Sequence, residues 1–204
     1  MRTVLALYAG GAGTLDMPSG PIATAIAKRP VAGRVRVEAL GLPGDVQVHP
    51  THGGPDRALC LYPHEHYARW DARVSPALGE NLTSLGVLET TARIGDVWRI
   101  GAALVQVSQP RSPCAKPAAR LGVPDLVMRA RRERITGLHL RVLEPGELGA
   151  GDAIEVDLAA LPDHGVSMRL LSDAILLDDT LIPQALAAPQ LIPSLRDWLA
   201  GRAA

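Results

Sequence analysis

The segment Gln109-Pro110-Arg111-Ser112-Pro113-Cys114-Ala115-Lys116-Pro117 gathers one thiol, two cations and three prolines just after the apolar run Ala103–Ser108. Proline fixes φ, so the turn is stiff and the thiol is held in place at the end of a strand. Cations on both sides favour the thiolate, the form that attacks electrophiles and ligates soft metals. The plainer alternative is a small buried cysteine between two surface cations, and the spacing alone leaves both open. Cys60, the other cysteine, sits inside Ala58-Leu59-Cys60-Leu61, where the role of a small core hydrophobe is expected. Two cysteines are too few for a disulfide framework and cannot supply the four ligands of an iron–sulfur cluster, so electrons for any redox chemistry come from elsewhere.

A second cluster, His49-Pro50-Thr51-His52-Gly53-Gly54-Pro55-Asp56-Arg57, is a turn-rich loop leading into a strand. Its glycines allow a ligand close to the backbone, and Arg57 can meet an anionic group. His49, His52, His64 and His66 invite a zinc reading. However, His64 and His66 are two apart on an expected helix and point to different faces, and no HExxH pattern exists. Gly79-Glu80-Asn81-Leu82 places an acid and an amide in one loop, which by itself is compatible with solvated turn residues. The stretch Ala9-Gly10-Gly11-Ala12-Gly13-Thr14 lacks the lysine and the βαβ setting of a phosphate cradle and reads as a flexible connection.

The elements that position these residues are mainly strands. From Gly33 to Leu40, Val35, Val37 and Ala39 alternate with Arg34, Arg36 and Glu38, the pattern of a half-buried antiparallel strand. Thr3–Tyr8, Arg57–Tyr62, Val97–Ile100, Ala103–Ser108, Leu138–Leu143 and Ile154–Leu158 are further runs bounded by turn residues. Gly44-Asp45, Gly95-Asp96 and Gly151-Asp152 read as turns, not metal sites. Pro63–Arg73 and the basic Pro124–Arg134 read as covering helices. Beyond a linker at Leu161-Pro162-Asp163-His164-Gly165, apolar residues recur at three- and four-residue spacing from Val166 to Arg202, interrupted by three prolines, which predicts two or three short helices. The chain thus divides into residues 1–160 and a helical segment, 161–204. Leu170, Leu171, Leu195 and Trp198 in that segment suit docking of a partner or a second copy in a homodimer, or packing on the strands.

With 204 residues, 47% hydrophobic, the chain can bury a real core. Lys+Arg and Asp+Glu both number 21, so no surface for a nucleic-acid polymer or an anionic membrane is expected. No apolar run approaches membrane-spanning length and the first residues lack a secretory pattern, which reads as cytoplasmic.

Taken in order, Gly41-Leu42-Pro43-Gly44-Asp45, His52-Gly53-Gly54-Pro55-Asp56-Arg57-Ala58, Tyr62-Pro63-His64-Glu65-His66-Tyr67, Gly79-Glu80-Asn81-Leu82, Ile94-Gly95-Asp96 and Gln109-Pro110-Arg111-Ser112-Pro113-Cys114 resemble a MOSC-domain protein, most of all the bacterial YiiM-like subgroup. The similarity runs to about Asp157, and the tail resembles a shortened form of that subgroup's three-helix domain. The resemblance implies a mainly β (α+β) fold with a MOSC-type β-barrel core and covering helices. It also implies molybdenum cofactor, a molybdopterin, with the cysteine matching Cys114 as thiolate ligand to molybdenum. Arg57, Arg111, Lys116 and Arg141 are the candidates for the cofactor's anionic groups, and His52 and Asn81 for polar contacts. The implied activity is reduction of N-hydroxylated compounds such as hydroxylaminopurine bases, with an external flavoprotein or iron–sulfur protein as electron donor. His52, Glu80 or cofactor-bound water would supply protons. The rival readings are a sulfur carrier that forms a persulfide on Cys114, and a module that binds the cofactor without turnover.

Overall fold

The computed structural model describes residues 1–49, 52–70, 76 and 78–203. Strands come first: β1 (Thr3–Ala9), β2 (Gly13–Met17), β3 (Gly20–Thr24), β4 (Arg29–Pro30), β5 (Arg34–Val37), β6 (Leu59–Pro63), β7 (Leu82–Leu85), β8 (Val97–Ile100) and β9 (Ala103–Pro110). Two helices, α1 (Ala115–Leu121) and α2 (Leu126–Glu133), interrupt the series before β10 (Leu138–Glu144), β11 (Gly146–Gly149) and β12 (Ile154–Val156). The tail holds α3 (Met168–Leu176), α4 (Ile182–Leu186) and α5 (Pro193–Ala203).

Eight strands form one sheet in the order β12-β8-β9-β10-β6-β7-β1-β4, antiparallel throughout except for the parallel pair β6–β7. The sheet curls until its two ends meet. Val4 N–H donates to the Asp152 carbonyl at 2.9 Å, Gly151 N–H to Val4 at 2.8 Å and Ile154 N–H to Arg2 at 2.9 Å, which joins β1 to the chain entering β12. Curling removes exposed edges and encloses an apolar interior of Leu7, Leu59, Leu61, Trp98, Val105, Val107, Leu138 and Leu140. The architecture is the mainly β, α+β one expected.

Several elements differ from the sequence reading. The strand expected over 33–40 ends at Val37, because Glu38 and Gly41 exchange two 2.9 Å backbone hydrogen bonds and turn the chain, leaving Ala39 exposed. A side chain at Gly41, where φ is 110°, would come 2.3 Å from the Ala58 carbonyl oxygen, so only glycine fits this turn. The glycine-rich stretch runs into the β2–β3 hairpin, so part of it is strand. Pro63 ends β6, and the expected helix is a 3-10 helix over His64–Trp70; residues 71–73 lie outside the described residues. The three-residue spacing of Tyr67 and Trp70 puts both on one side of a 3-10 helix, and they bury in a satellite cluster with Tyr62, Leu126 and Ile135.

The three tail helices agree with the sequence reading. Ser167 Oγ caps α3 by accepting from Leu170 N–H at 3.1 Å, and Ile94 N–H donates to the Val166 carbonyl at 3.0 Å, which fixes the start of the helix on the barrel. Leu171, Ala174, Ala185 and Leu199 are fully buried in the same cluster as Trp98 and Val105. Of the apolar surplus in the tail, Leu171 belongs to that core, Leu170 and Leu195 are partly buried, and Trp198 stays 45% exposed. No helix among the described residues is long and apolar enough to cross a membrane.

Candidate active site

The register of three neighbouring strands builds one side of a cavity. On β10, Leu138 and Leu140 point to the core, so the alternating position, His139, takes the other face. There it pairs with Cys60 of β6 and with Gln109 of β9, and all three residues line a cavity of about 650 Å³. Beyond β9, Arg111 N–H donates to the Gly137 carbonyl at 3.0 Å, and the proline-bounded turn then presents Cys114 directly before α1. Cys114 is partly exposed and opens on this cavity. His49, His52 and Arg57 reach it from the loop before β6, Lys28 and Asp45 from earlier segments, and Ile192, Leu195 and Trp198 from the tail.

Charge in the lining is unbalanced: Lys28, Arg57, Arg111 and Lys116 face one carboxylate, Asp45. That carboxylate is already committed. It is ion-paired to Lys28 and accepts from Gly10 N–H at 3.0 Å and from Asn81 Nδ2 at 2.8 Å. Arg111 Nη2 donates to the Leu78 carbonyl at 2.5 Å, while its Nη1 is buried with no hydrogen-bond partner among the described residues. A guanidinium half-satisfied in a cavity is arranged to receive an anion, since an unpaired buried donor is costly. His139 Nδ1 is likewise buried without a partner.

Desolvation sets the state of the titrating groups. Burial, reinforced by Arg111 and Arg57, pushes the His139 pKa down to about 3, so this ring is neutral at pH 7. Burial and then Lys116 also hold His52 below the ordinary histidine value. Burial pushes the Cys60 thiol up, which makes it inert as a nucleophile.

Cys114, His52, Arg57, Asn81, Arg111 and Lys116 are therefore brought together as the sequence suggested. Asn81 has a narrower task than expected. Its Oδ1 accepts from Cys60 N–H at 3.0 Å, and its Nδ2 donates to the Tyr8 carbonyl at 3.2 Å and to Asp45, so its amide ties three segments of wall together. Two residues are not brought to the cavity. Glu80 is fully buried behind it, where it accepts from the Tyr67 hydroxyl and from Leu78 N–H, and so cannot hand a proton to a molecule inside. Arg141 does not line the cavity and is committed elsewhere, pairing with Asp56 at 2.9 Å and donating to Gln106 Oε1 at 3.1 Å. Sequence reasoning missed Lys28, Asp45 and His139. The alternation Leu138-His139-Leu140-Arg141 was the available sign of His139, whereas nothing local marks the Lys28–Asp45 pair, which forms across 17 residues.

The MOSC domain model matches residues 48–155, more than half of the chain. YflK of Bacillus subtilis is 40% identical over 173 residues, 82% of this chain and 77% of that protein. YiiM of Escherichia coli is 42% identical over 142 residues, 65% of this chain and 63% of its own length. A Gibberella moniliformis protein named "Reductase" is 35% identical over 146 residues, 67% of this chain but only 26% of that longer one. The crystal structure of YiiM from Geobacillus stearothermophilus superposes with a TM-score of 0.81 at 29% identity over all of both chains. A curled sheet, a thiol at its rim and these matches make the chain a member of the MOSC-domain family, YiiM-like in sequence and fold.

Proposed function

We propose that the chain holds molybdenum cofactor in this cavity, with Cys114 as the protein's thiolate to molybdenum, and reduces N-hydroxylated compounds. One observation carries the reading: a partly exposed thiol opens on a cavity of about 650 Å³ where four cations face one committed carboxylate. MOSC domains are associated with this cofactor as a family. The residues present suit it, because a soft sulfur donor and the unpartnered Arg111 Nη1 match a group that joins a soft metal to an anionic phosphate. Bound there, the cofactor would supply two-electron redox chemistry.

The net reaction is R–NHOH + 2e⁻ + 2H⁺ → R–NH₂ + H₂O, in which the N–O bond breaks and the departing oxygen leaves as water. Among the chain's own groups, Arg57, Arg111 and Lys116 hold the anion, while Asn81 keeps the Asp45–Lys28 pair and the Cys60 strand in register. His52, neutral at pH 7 and placed at the cavity, is the group able to pass protons inward. The two electrons come from an external flavoprotein or iron–sulfur protein in the cytoplasm. The name and length of the Gibberella relative fit such a division of labour, since its MOSC-like part occupies about a quarter of a longer chain.

Metal and pterin analysis of protein made in a host that synthesises the cofactor tests the reading. One molybdenum and one pterin per chain, both lost in Cys114→Ser, are expected together with reduction of an N-hydroxylated probe by chemically supplied electrons. Retention of cofactor without turnover, or persulfide on Cys114 without cofactor, would replace it with one of the two rival roles.

A further inference from the structure

The cavity's lining joins Cys114 and four cations to the apolar Ile192, Leu195 and Trp198 of the tail. Trp198 is the exposed member of the chain's three tryptophans, at 45% against 3% for Trp70 and 0% for Trp98. It sits on α5, which Leu199 anchors in the core. The Arg202 guanidinium lies over the Trp198 ring, 4.5 Å from its centroid, and is itself held by Asp179 and the Ile175 carbonyl. With one face of this indole covered by the cation, a planar ring in the cavity it borders would stack on the opposite face.

Resting on the proposed function, we infer that Trp198 is the stacking platform for the planar ring of the N-hydroxylated substrate, so that the tail selects flat heteroaromatic substrates over small aliphatic ones. The division of the chain favours the substrate over the cofactor's pterin as the occupant. The proposed cofactor contacts, from His52 to Lys116, all lie within residues 48–155, the segment matched by the domain model, whereas Trp198 lies outside it. What the family shares is thus held by the barrel, and what distinguishes the substrate falls to the added helix. A platform that carries no charge also discriminates by shape, because stacking rewards any flat ring and gives a small non-aromatic molecule nothing.

The test compares the full chain with Trp198→Ala and Trp198→Phe. Binding of 6-hydroxylaminopurine is measured by calorimetry, and reduction of hydroxyurea serves as the non-aromatic control. Molybdenum and pterin are counted per chain. Trp198→Ala should weaken 6-hydroxylaminopurine binding by about tenfold or more, with Phe restoring most of it, hydroxyurea turnover falling by much less, and cofactor content unchanged. Equal affinity in the alanine variant overturns the inference. A fall in pterin content does so too, by assigning the platform to the cofactor, as does a wild-type chain that does not bind the planar probe. A chain that binds the probe through Trp198 but carries no molybdenum leaves the stacking site standing and refutes the cofactor reading alone.

Discussion

Cys60 and Cys114 border the same cavity from different kinds of backbone. Cys60 lies in mid-strand, its N–H fixed by Asn81 Oδ1 at 3.0 Å and its residue in register with His139. Cys114 lies in the turn between β9 and α1, partly exposed and beside Arg111 and Lys116. Strand pairing desolvates the first thiol and raises its pKa, while the stiff turn presents the second to the cavity. The comparison teaches that a cysteine's reactivity is set less by the cavity it touches than by whether its own backbone is used up in the sheet.

The largest effect separates the two directly. Cys114→Ser is expected to abolish molybdenum retention with little change in melting temperature, and Cys60→Ala to retain the metal while losing about 1–2 kcal/mol of stability. Iodoacetamide mass mapping of the native chain checks the same contrast, with label on Cys114 and none on Cys60. Equal labelling would break it.

Each cysteine's neighbours are local, so the apolar run around Cys60 marked it as core, while the three prolines and two cations around Cys114 left a reactive and a buried thiol both open until the cavity decided between them. Arg57, Arg111 and Lys116 could be placed for the same reason. Glu80 and Arg141 misled because the face a loop or strand residue takes depends on distant partners, here Tyr67 for Glu80 and Asp56 for Arg141. The mainly β class and the tail helices followed from apolar periodicity. The hairpin β2–β3, the short strand β7 and the ends of several strands did not, since pairing partners and turns such as Glu38–Gly41 decide them.

A smaller effect probes what keeps Cys60 in place. Asn81→Ala leaves the buried Cys60 N–H unpaired and removes one anchor of Asp45, so a loss of about 2–3 kcal/mol is expected. The Cys60 thiol should then become alkylatable in the native state at moderate temperature. A variant as stable as the parent, with Cys60 still shielded, would show that the amide bridge does not hold the strand.

The desolvation that quiets Cys60 also acts on His139, and here pH is the probe. The folded pKa of about 3 lies below the ordinary value of about 6.5, so below pH 6.5 the unfolded chain binds a proton that the native one does not. Stability is therefore full above pH 6.5 and falls toward pH 3 by about 1.4 kcal/mol per unit, or about 2 kcal/mol by pH 5. Urea midpoints at pH 7.5 and pH 5 should show that component in the parent and not in His139→Gln. Identical pH slopes in the two proteins would mean that the ring is not desolvated.

Arg141 offers the finest cut, because it shares the sign of the cavity cations without their position. It braces the 3-10 turn Pro55–Arg57 through Asp56 at 2.9 Å, where Ser108 Oγ also donates to the Asp56 carbonyl at 2.5 Å, and Arg57 follows directly in that turn. Removing this strut should cost about 1 kcal/mol, the scale of a partly exposed pair with its hydrogen bonds. Arg57 would be loosened but not lost, so Arg141→Gln should weaken cofactor retention a few-fold and leave the salt dependence of retention unchanged. Arg111→Gln deletes a charge from the cavity itself and should both weaken retention more and flatten that salt dependence. If the two variants lose cofactor equally and with the same change in salt slope, Arg141 touches the anion and the strut assignment fails.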